Sequence, residues 1–512
     1  MRRWCVPQGV RRDQLLAAYY QSVLEEVTWF DLSASPLLQT LSSQSCDGKL
    51  SIAFNVYGYG RDSTIPRYTM GHITGTIGPY RKGEPKHFTV GRQMIAGGSF
   101  TQPAGGVGTM QAKVSEDGMS ITADFGNSFQ IPTADGGLVN IGQVFLAVLN
   151  FNPPAIQTTV DNTQFVILGE VDYQTPGWYT QTAGVQTFDL QSNTEAQQLL
   201  PSNPIVLLTP VQGSNTSYTV LLQESISGLY VRSDSFVFRL EPGEQETMEF
   251  YASQFGEPLA QAQIQLSATQ GFMGGSGGGP TITPAPNPPA AIPTIGTPAD
   301  GVTYAATAVT DANGYAAVEL NASADGPGNP RGYIESQLYG IGYQLATQPS
   351  GYVSNPMNYI SVLAYTKKDV PDYPTWYTDI QPLLTQFGNL YPIMGRYVVN
   401  LSDYDDVVRR RQILTLAFSL PRADANHMPV TRDMGEGDRK TILKWLSMRG
   451  PDGLPPKGTP LVTRTAPAPT VQDSLAAASE IPLPPEQAAG KTAVIVQYEQ
   501  RQLAAQRKGE QQ

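Results

Sequence analysis

Val309-Thr310-Asp311-Ala312-Asn313-Gly314-Tyr315-Ala316-Ala317-Val318 decides the fold class of this 512-residue chain. Asn313-Gly314 supplies the positive φ values of a tight turn, and short runs of small and β-branched residues flank it, so the stretch reads as two strands joined by a hairpin. Upstream the same rhythm recurs. Phe236-Val237-Phe238-Arg239-Leu240 runs into a Glu241-Pro242-Gly243 turn, followed by Thr247-Met248-Glu249-Phe250-Tyr251 and then Pro258 to Leu266. Short runs with period two, separated by turn residues, are strands.

Residues 229–365 therefore resemble an immunoglobulin-type β-sandwich, and the Thr-Asp-x-Asn-Gly turn resembles that of bacterial Ig-like repeats. Inside this block, residues 271–301 are dominated by Gly, Pro and Ala. They carry too little apolar bulk to order themselves and read as a mobile insert.

Further outward, residues 31–228 read as a β-rich domain of sandwich or barrel type. Leu50 to Tyr57 and Met119 to Phe125 alternate, the second after an Asp117-Gly118 turn pair, and Val144 to Leu149 is a continuous apolar run suited to a strand buried on both faces. Residues 1–30 predict an N-terminal helix, since Leu15, Tyr19, Val23 and Val27 recur every four positions. Residues 366–450 predict a helical segment. Trp376, Ile380, Leu384 and Phe387 share a face, Ser402 caps a second helix with Asp405 at its third position, and Gly437 to Met448 forms another helix burying Ile442, Leu443 and Trp445. Residues 451–512 read as a Pro-rich linker and flexible tail. The expected class is thus mainly β and multi-domain, with a small helical segment near the C-terminal end.

Composition excludes several functions. Lys and Arg number 33 against 44 Asp and Glu, a net charge of −11, and no long basic cluster exists, so neither nucleic acid nor an anionic membrane is an expected partner. No run of 18 apolar residues occurs, so no membrane span is expected, and the absence of a signal-like apolar run near Met1 predicts a cytoplasmic protein. Two cysteines, Cys5 and Cys46, cannot build a disulfide framework or a four-cysteine zinc site.

Two formal motif matches fail on context, and the histidines do not cluster. Glu84-Pro85-Lys86-His87 has Glu-x-x-His spacing, but that spacing converges only on a helix, and Pro85 breaks one. Gly274-Gly275-Ser276-Gly277-Gly278 has the spacing of a nucleophile elbow without its strand and helix. His72, His87 and His427 are too scattered to hold a metal together. No catalytic residue, cofactor or metal ligand is nominated.

Several stretches in the same order resemble one family, the iminophenylpyruvate and indolepyruvate-imine dimer synthases of violacein, rebeccamycin and staurosporine biosynthesis. The first runs from Gly71-His72-Ile73-Thr74-Gly75-Thr76-Ile77-Gly78-Pro79-Tyr80-Arg81-Lys82-Gly83-Glu84 to Gly91-Arg92. The second is Tyr173 to Leu190 with Trp178 and Tyr179. The third runs from Leu390-Tyr391-Pro392 through Met428-Pro429-Val430-Thr431-Arg432-Asp433 to Leu446. In those synthases a ferritin-like bundle with metal-holding Glu residues follows, and this sequence has no counterpart to it. The resemblance implies the non-ferritin part alone: a non-catalytic structural or interaction protein, companion to a separately encoded partner or self-associating. An enzyme of imine coupling and a component of an extracellular or surface assembly are the alternatives. Arg81, Glu84, Arg92, Trp178, Tyr179, Tyr391, Thr431 and Arg432 are the candidate structural or interface residues. Thr431 or Asp433 is expected to cap the following helix, and Arg432 to reach main-chain carbonyls.

Ordering a residue costs about 1–2 kcal/mol, which neither low-bulk segment offsets by burial. Limited proteolysis should therefore cut within 271–301 and 451–512 before it touches any strand; first cuts inside the strand-forming runs would contradict the reading.

Overall fold

The computed structural model describes residues 18–57, 71–95, 98–99, 102–103, 106–131, 137–268, 298–328, 336–349, 358–391, 394–395 and 398–460. The protein is mainly β. It divides into two units, one formed by Met1–Pro371 with Ile413–Leu443 and the other by Asp372–Gln412 with Lys444–Gln512. The bulk of the predicted insert, 271–297, and the tail from 461 onward lie outside the described residues.

The first unit opens with an antiparallel meander of β1 (Ala18–Leu24), β2 (Leu50–Tyr57) and β3 (His72–Pro79), in that order. The predicted N-terminal helix is corrected here: from Ala18 onward the chain is a strand, registered Ala18↔Val56 through Leu24↔Leu50. Tyr19, Tyr20 and Val23 are strand formers, and pairing along seven residues of β2 overrides a four-residue spacing. The helix lies later. α1 (Pro36–Gln44) starts at Pro36, and the Ser35 hydroxyl accepts from the Leu38 N–H, a cap and first-turn proline that mark it in the sequence.

Next come β4 (Arg92–Met94), β5 (Gly98–Ser99), β6 (Gln102–Pro103), β7 (Met110–Val114), β8 (Ser120–Asp124), β9 (Phe145–Leu149), β10 (Thr159–Asp161) and β11 (Phe165–Glu170). α2 (Trp178–Thr182), β12 (Val185–Asp189), α3 (Thr194–Leu199), β13 (Ile205–Pro210) and β14 (Ser217–Gln223) follow. They build a four-stranded sheet, β12-β8-β7-β4, and a five-stranded one, β10-β14-β13-β9-β11. Leu146 and Val148 of β9 join one apolar cluster while Ala147 and Leu149 join another. A strand with both faces buried needs the uninterrupted apolar run seen there.

The Ig-type block consists of β15 (Leu229–Ser233), β16 (Val237–Leu240), β17 (Gln245–Gln254), β18 (Glu257–Pro258), β19 (Gln263–Ala268), β20 (Val302–Tyr304), β21 (Thr307–Val309), β22 (Tyr315–Ala322), β23 (Ser336–Leu345) and β24 (Tyr359–Tyr365). Sheet β15-β17-β22-β20 faces sheet β16-β24-β23-β19-β21 across a core that includes Met248, Phe250, Ile264, Leu320, Ile341 and Val362. The turn that began the sequence reading is not a hairpin within one sheet. β21 pairs with β19 and β22 with β17, so 310–314 carries the chain from one sheet to the other. Asp311 holds this corner, its carboxylate accepting from the N–H groups of Asn313 (2.8 Å) and Tyr315 (2.9 Å). Only Gly314 of the pair has positive φ, and a Cβ there would meet the Ala252 carbonyl at 2.5 Å.

In the second unit a π-helical turn, Trp376–Ile380, continues into α4 (Gln381–Leu390), followed by α5 (Tyr404–Arg409). The cap of α5 is Asp403 rather than Ser402, its carboxylate accepting from the Asp406 N–H at 2.8 Å. Trp376, Tyr404 and Trp445 form a ring cluster with centroid separations of 5.5–6.1 Å. The segment 451–460 is also corrected, because it is packed rather than a free linker. Pro455 O accepts from the Tyr404 hydroxyl (2.7 Å), and Pro456 O accepts from Trp445 Nε1 (2.8 Å) and Trp376 N (3.0 Å). Proline lacks a donor but keeps its acceptor, and here the acceptors anchor it. α6 (Arg411–Ser419) and α7 (Glu436–Ser447) complete the helices described; α7 buries Ile442 and Trp445 and leaves Leu443 half-buried.

Within the first unit the sheets meet at Arg92, which is 1% exposed. Its Nε lies 3.1 Å from both oxygens of Glu224, Nη2 also reaches Glu224, Nη1 donates to Leu200 O (2.7 Å) and Nη2 to Asn203 O (2.5 Å). Truncating Arg92 to Ala strands a buried carboxylate and two carbonyls, so the variant should lose about 3–5 kcal/mol in urea unfolding. Arg92→Met with Glu224→Gln should recover part of that loss. A single-variant loss below about 1 kcal/mol, the scale of an exposed ion pair, would contradict the assignment.

Candidate functional site

Two surfaces of the first unit have the geometry of recognition, and the three-stranded sheet contributes to both. Paired residues share a face. Gln21, Ser51, Asn55, Tyr57 and Thr76 point one way, and Tyr20, Leu24, Ile52, Phe54, Ile73 and Ile77 point the other.

The first face is tied down. Asn55 Nδ2 donates to Gly126 O, Tyr57 stacks on His72 and packs edge-on to Tyr179, and Thr89 donates to Gln21. Beside these anchors opens a cleft of about 1050 Å3, with Ser51, Ala53 and Thr76 on one side and Glu249, Tyr251, Tyr315 and Ala317 on the other. The turn after β3 closes one end and delivers Arg81, Lys82 and Glu84. Glu84 is already engaged: one carboxylate oxygen accepts from the Ser51 hydroxyl and the other from the Arg81 N–H at 3.2 Å. Phe88, Tyr251 and Tyr315 form the aromatic floor, with Tyr251 and Tyr315 centroids 5.0 Å apart. The Tyr251 hydroxyl is buried with no hydrogen-bond partner. Burial, reinforced by the neighbouring Tyr315 phenol and Glu257 carboxylate, pushes its phenol up, and burial together with nearby acidic groups pushes Tyr315 up to about 12. Both phenols therefore stay protonated at neutral pH. They can present apolar surface and donate hydrogen bonds; they cannot serve as bases.

On the opposite face Leu50 and Val56 are buried, and the rest is open. Tyr20 stacks on Phe54 at 5.2 Å, and beyond them Ile73 and Ile77 are 70% and 60% exposed. Leu24 on β1 and Phe30, Leu37 and Leu38 in the following segment are exposed as well. Among the described residues β3 pairs only with β2, and none of them pairs with its other edge.

The eight nominated residues do not converge on one site. Arg81 and Glu84 reach the cleft. Arg92 is the buried tie described above, a structural rather than an interface residue. Trp178 and Tyr179 of α2 are buried beside Phe125 and Phe129, and Tyr179 donates to Gly126 O at 3.1 Å, so they too are core. Tyr391 follows α4 in the second unit, stacked 6.5 Å from Phe387. Arg432 has positive φ and donates to the carbonyls of Arg422 (3.1 Å), Asp424 (2.5 Å) and Val430, while its own carbonyl accepts from Tyr365. It knits the connection between α6 and α7, as its five donors allow. α7 starts at Glu436, whose N–H donates to Glu241 Oε1 at 3.0 Å, and Thr431 donates to Asp433 at 2.6 Å.

Sequence reasoning missed Glu224, Asp234 and the open edge of β3. Glu224 and Asp234 are buried; Glu224 stands alone in a neutral run, its only sequence signal, and Asp234 follows Arg232 by two residues.

No protein-family model and no curated protein matches the chain. Among solved structures it is similar to the D00-D0 domain of Intimin, at 11% identity over 44% of this chain and 100% of that one, with a TM-score of 0.18. Domains 4 and 5 of the S-layer protein SbsC give 8%, 53%, 95% and 0.16 in the same order, and the Yersinia pseudotuberculosis adhesin InvE gives 12%, 48%, 53% and 0.15. Likenesses of this size carry no functional argument.

His87 belongs to neither surface but fixes the turn that bounds the cleft. Its Nδ1 lies 2.6 Å from Asp234 O and 3.4 Å from Asp234 Oδ1, and the Asp234 carboxylate accepts from the N–H groups of Lys86 (3.0 Å) and His87 (2.9 Å). The hydrogen bond to Asp234, opposed by burial, raises the His87 pKa; burial raises that of Asp234, but the bonds it accepts outweigh it and leave the carboxyl below its usual range. The imidazolium contribution is fully present below the unfolded value of about 6.5 and is lost as pH rises through the raised folded value. The carboxylate contribution is present above the unfolded value and is lost as pH falls through the depressed one. His87→Gln should therefore lower the Tm more at about pH 5.5 than at about pH 8.5. Equal losses at both would show that the imidazole is uncharged in the fold.

Proposed function

We propose that this chain is a non-catalytic interaction protein that docks through the open face and edge of its three-stranded sheet. The observation that carries the reading is the exposure of Ile73 and Ile77 on an edge strand whose outer side has no partner among the described residues, flanked by exposed Tyr20, Leu24, Phe30 and Leu37. Contiguous apolar exposure of this kind marks an association surface in a soluble protein. The cleft supports binding over turnover, because Glu84 and Ser51 satisfy each other and the two floor phenols are held protonated. Resemblance to the non-ferritin part of imine dimer synthases fits a companion role beside a separately encoded subunit. A role in a surface assembly is the second reading, and the Ig-type sandwich, an architecture shared by many cell-surface domains, favours it.

The test uses the chain in its native cells. Wild-type protein should sediment in a complex larger than one chain. Ile73→Lys with Ile77→Lys should sediment as a single chain while keeping its melting temperature, since exposed substitutions change stability by about 0.5 kcal/mol or less. Wild-type protein sedimenting as a single chain, or a variant complex of unchanged size, would refute the proposal.

A further inference from the structure

We infer that β3 is a self-pairing edge: two copies of this chain join antiparallel through β3 about a two-fold axis at Gly75, making one continuous six-stranded sheet. The inference rests on the interaction reading above and names its occupant as a second copy.

The argument begins with symmetry. An isologous interface sets the same patch against itself, so whatever residue i meets as j, residue j meets as i. Across a two-fold at Gly75 the paired numbers sum to a constant, so Ile73 meets Ile77 of the second copy, Thr74 meets Thr76, and Gly75 meets itself. Ile73-Thr74-Gly75-Thr76-Ile77 reads the same in both directions. Every central pair is therefore matched, isoleucine with isoleucine on the open face and threonine with threonine on the other. Such pairs are the units that stabilise a sheet. The other open edge of this sheet, β1, reads Ala18-Tyr19-Tyr20-Gln21-Ser22-Val23-Leu24 and has no such symmetry.

Charge points the same way. Edges of natural sheets are kept from pairing by charged residues, prolines, bulges or short length. His72 to Gly78 contains no Asp, Glu, Lys, Arg or Pro, and β2 pairs with it without a register shift, although the chain as a whole carries 77 charged residues. Seven successive edge residues without a charge or a proline leave the strand open to pairing. Area limits the arrangement: edge pairing alone falls short of the roughly 800 Å2 per partner of a standard interface. α1 packs beside β3 and presents Leu37 and Leu38, which supply apolar surface next to the seam.

The test is disulfide register in the purified full chain, with Cys5→Ser and Cys46→Ser removing the native thiols. Thr74→Cys together with Thr76→Cys should link copies rapidly on mild oxidation, because opposed residues sit about 4.5–5.5 Å apart between Cα atoms. Either substitution alone should link far more slowly, since like residues are offset by two positions, about 6.6 Å along the strand. A charge swap gives an independent check. Ile73→Lys alone and Ile77→Glu alone should each dissociate the dimer, and the two combined in one chain should restore it, as the two-fold sets each Lys against a Glu of the other copy. A monomeric purified chain would overturn this inference while leaving the interaction reading to a different partner. A dimer linked as readily by single cysteines, or not restored by the charge swap, would also overturn it.

Discussion

The Arg92 guanidinium is the point at which three sheets become one body. Arg92 lies on β4 of the four-stranded sheet, its carboxylate partner Glu224 follows β14 of the five-stranded sheet, and its carbonyl partners Leu200 and Asn203 lie on the approach to β13. From the sandwich, the Phe255 ring sits 5.5 Å from the guanidinium, and Gly256 comes so close that a Cβ would meet Arg92 Cγ at 2.8 Å. Only a glycine at φ +85° fits there. A guanidinium can hold this junction because its donors are planar and fixed; lysine offers a point charge that cannot reach two carbonyls and a carboxylate together. Glu224 is equally committed, since it also accepts from the Ile205 N–H at 3.2 Å. Each partner is costly to bury and each supplies the other's countercharge, so this pair constrains the relative placement of these sheets.

That junction explains which parts of the protein were legible in the sequence. Strands were, because apolar alternation and turn residues are local signals: β2, β8, β17 and β22 all lie where the periodicity puts them. Val144 to Leu149 even announced burial on both faces. Pairing partners were not legible. The Asp311–Gly314 turn has hairpin chemistry, yet it joins strands of opposite sheets, because its outcome depends on which strands β19 and β17 leave free. The N-terminal segment failed for the same reason, since seven pairings with β2 outweigh a helical spacing that involves four side chains. At the candidate site the sequence motif reached Arg81 and Glu84 and left open whether Arg92, Trp178 and Tyr179 are structural or interface residues; all three are buried. A guanidinium or an indole looks the same in sequence whether its partner is solvent, a carbonyl or a buried carboxylate.

The three-stranded sheet shows how the tied interior and the open surface belong to one arrangement. A meander of this size is stable only when one face is packed. Asn55 and Tyr57 supply that packing on the inner face through Gly126 and Tyr179, and Ser51 adds its bond to Glu84. The Glu84 carboxylate at the cleft is consequently spent on holding the sheet in place. With the inner face fixed, the outer face and the free edge of β3 need no further contact from their own chain. They can remain apolar without loosening the sheet, because a one-residue slip would move Tyr57 and Asn55 off their partners.

Two consequences of charge then act at different ranges. The net charge of −11 repels like chains at distances beyond about 10 Å only at low ionic strength, because salt screens it. At contact range the edge of β3 is neutral, so nothing on the strand itself opposes pairing, and the matched isoleucines and open backbone groups decide the outcome. Association controlled in this way strengthens with salt, the reverse of a surface held by ion pairs. It is also specific, because a partner strand must be uncharged, antiparallel and apolar at the two positions four apart that face Ile73 and Ile77. Few sequences meet those conditions, and β3 itself does.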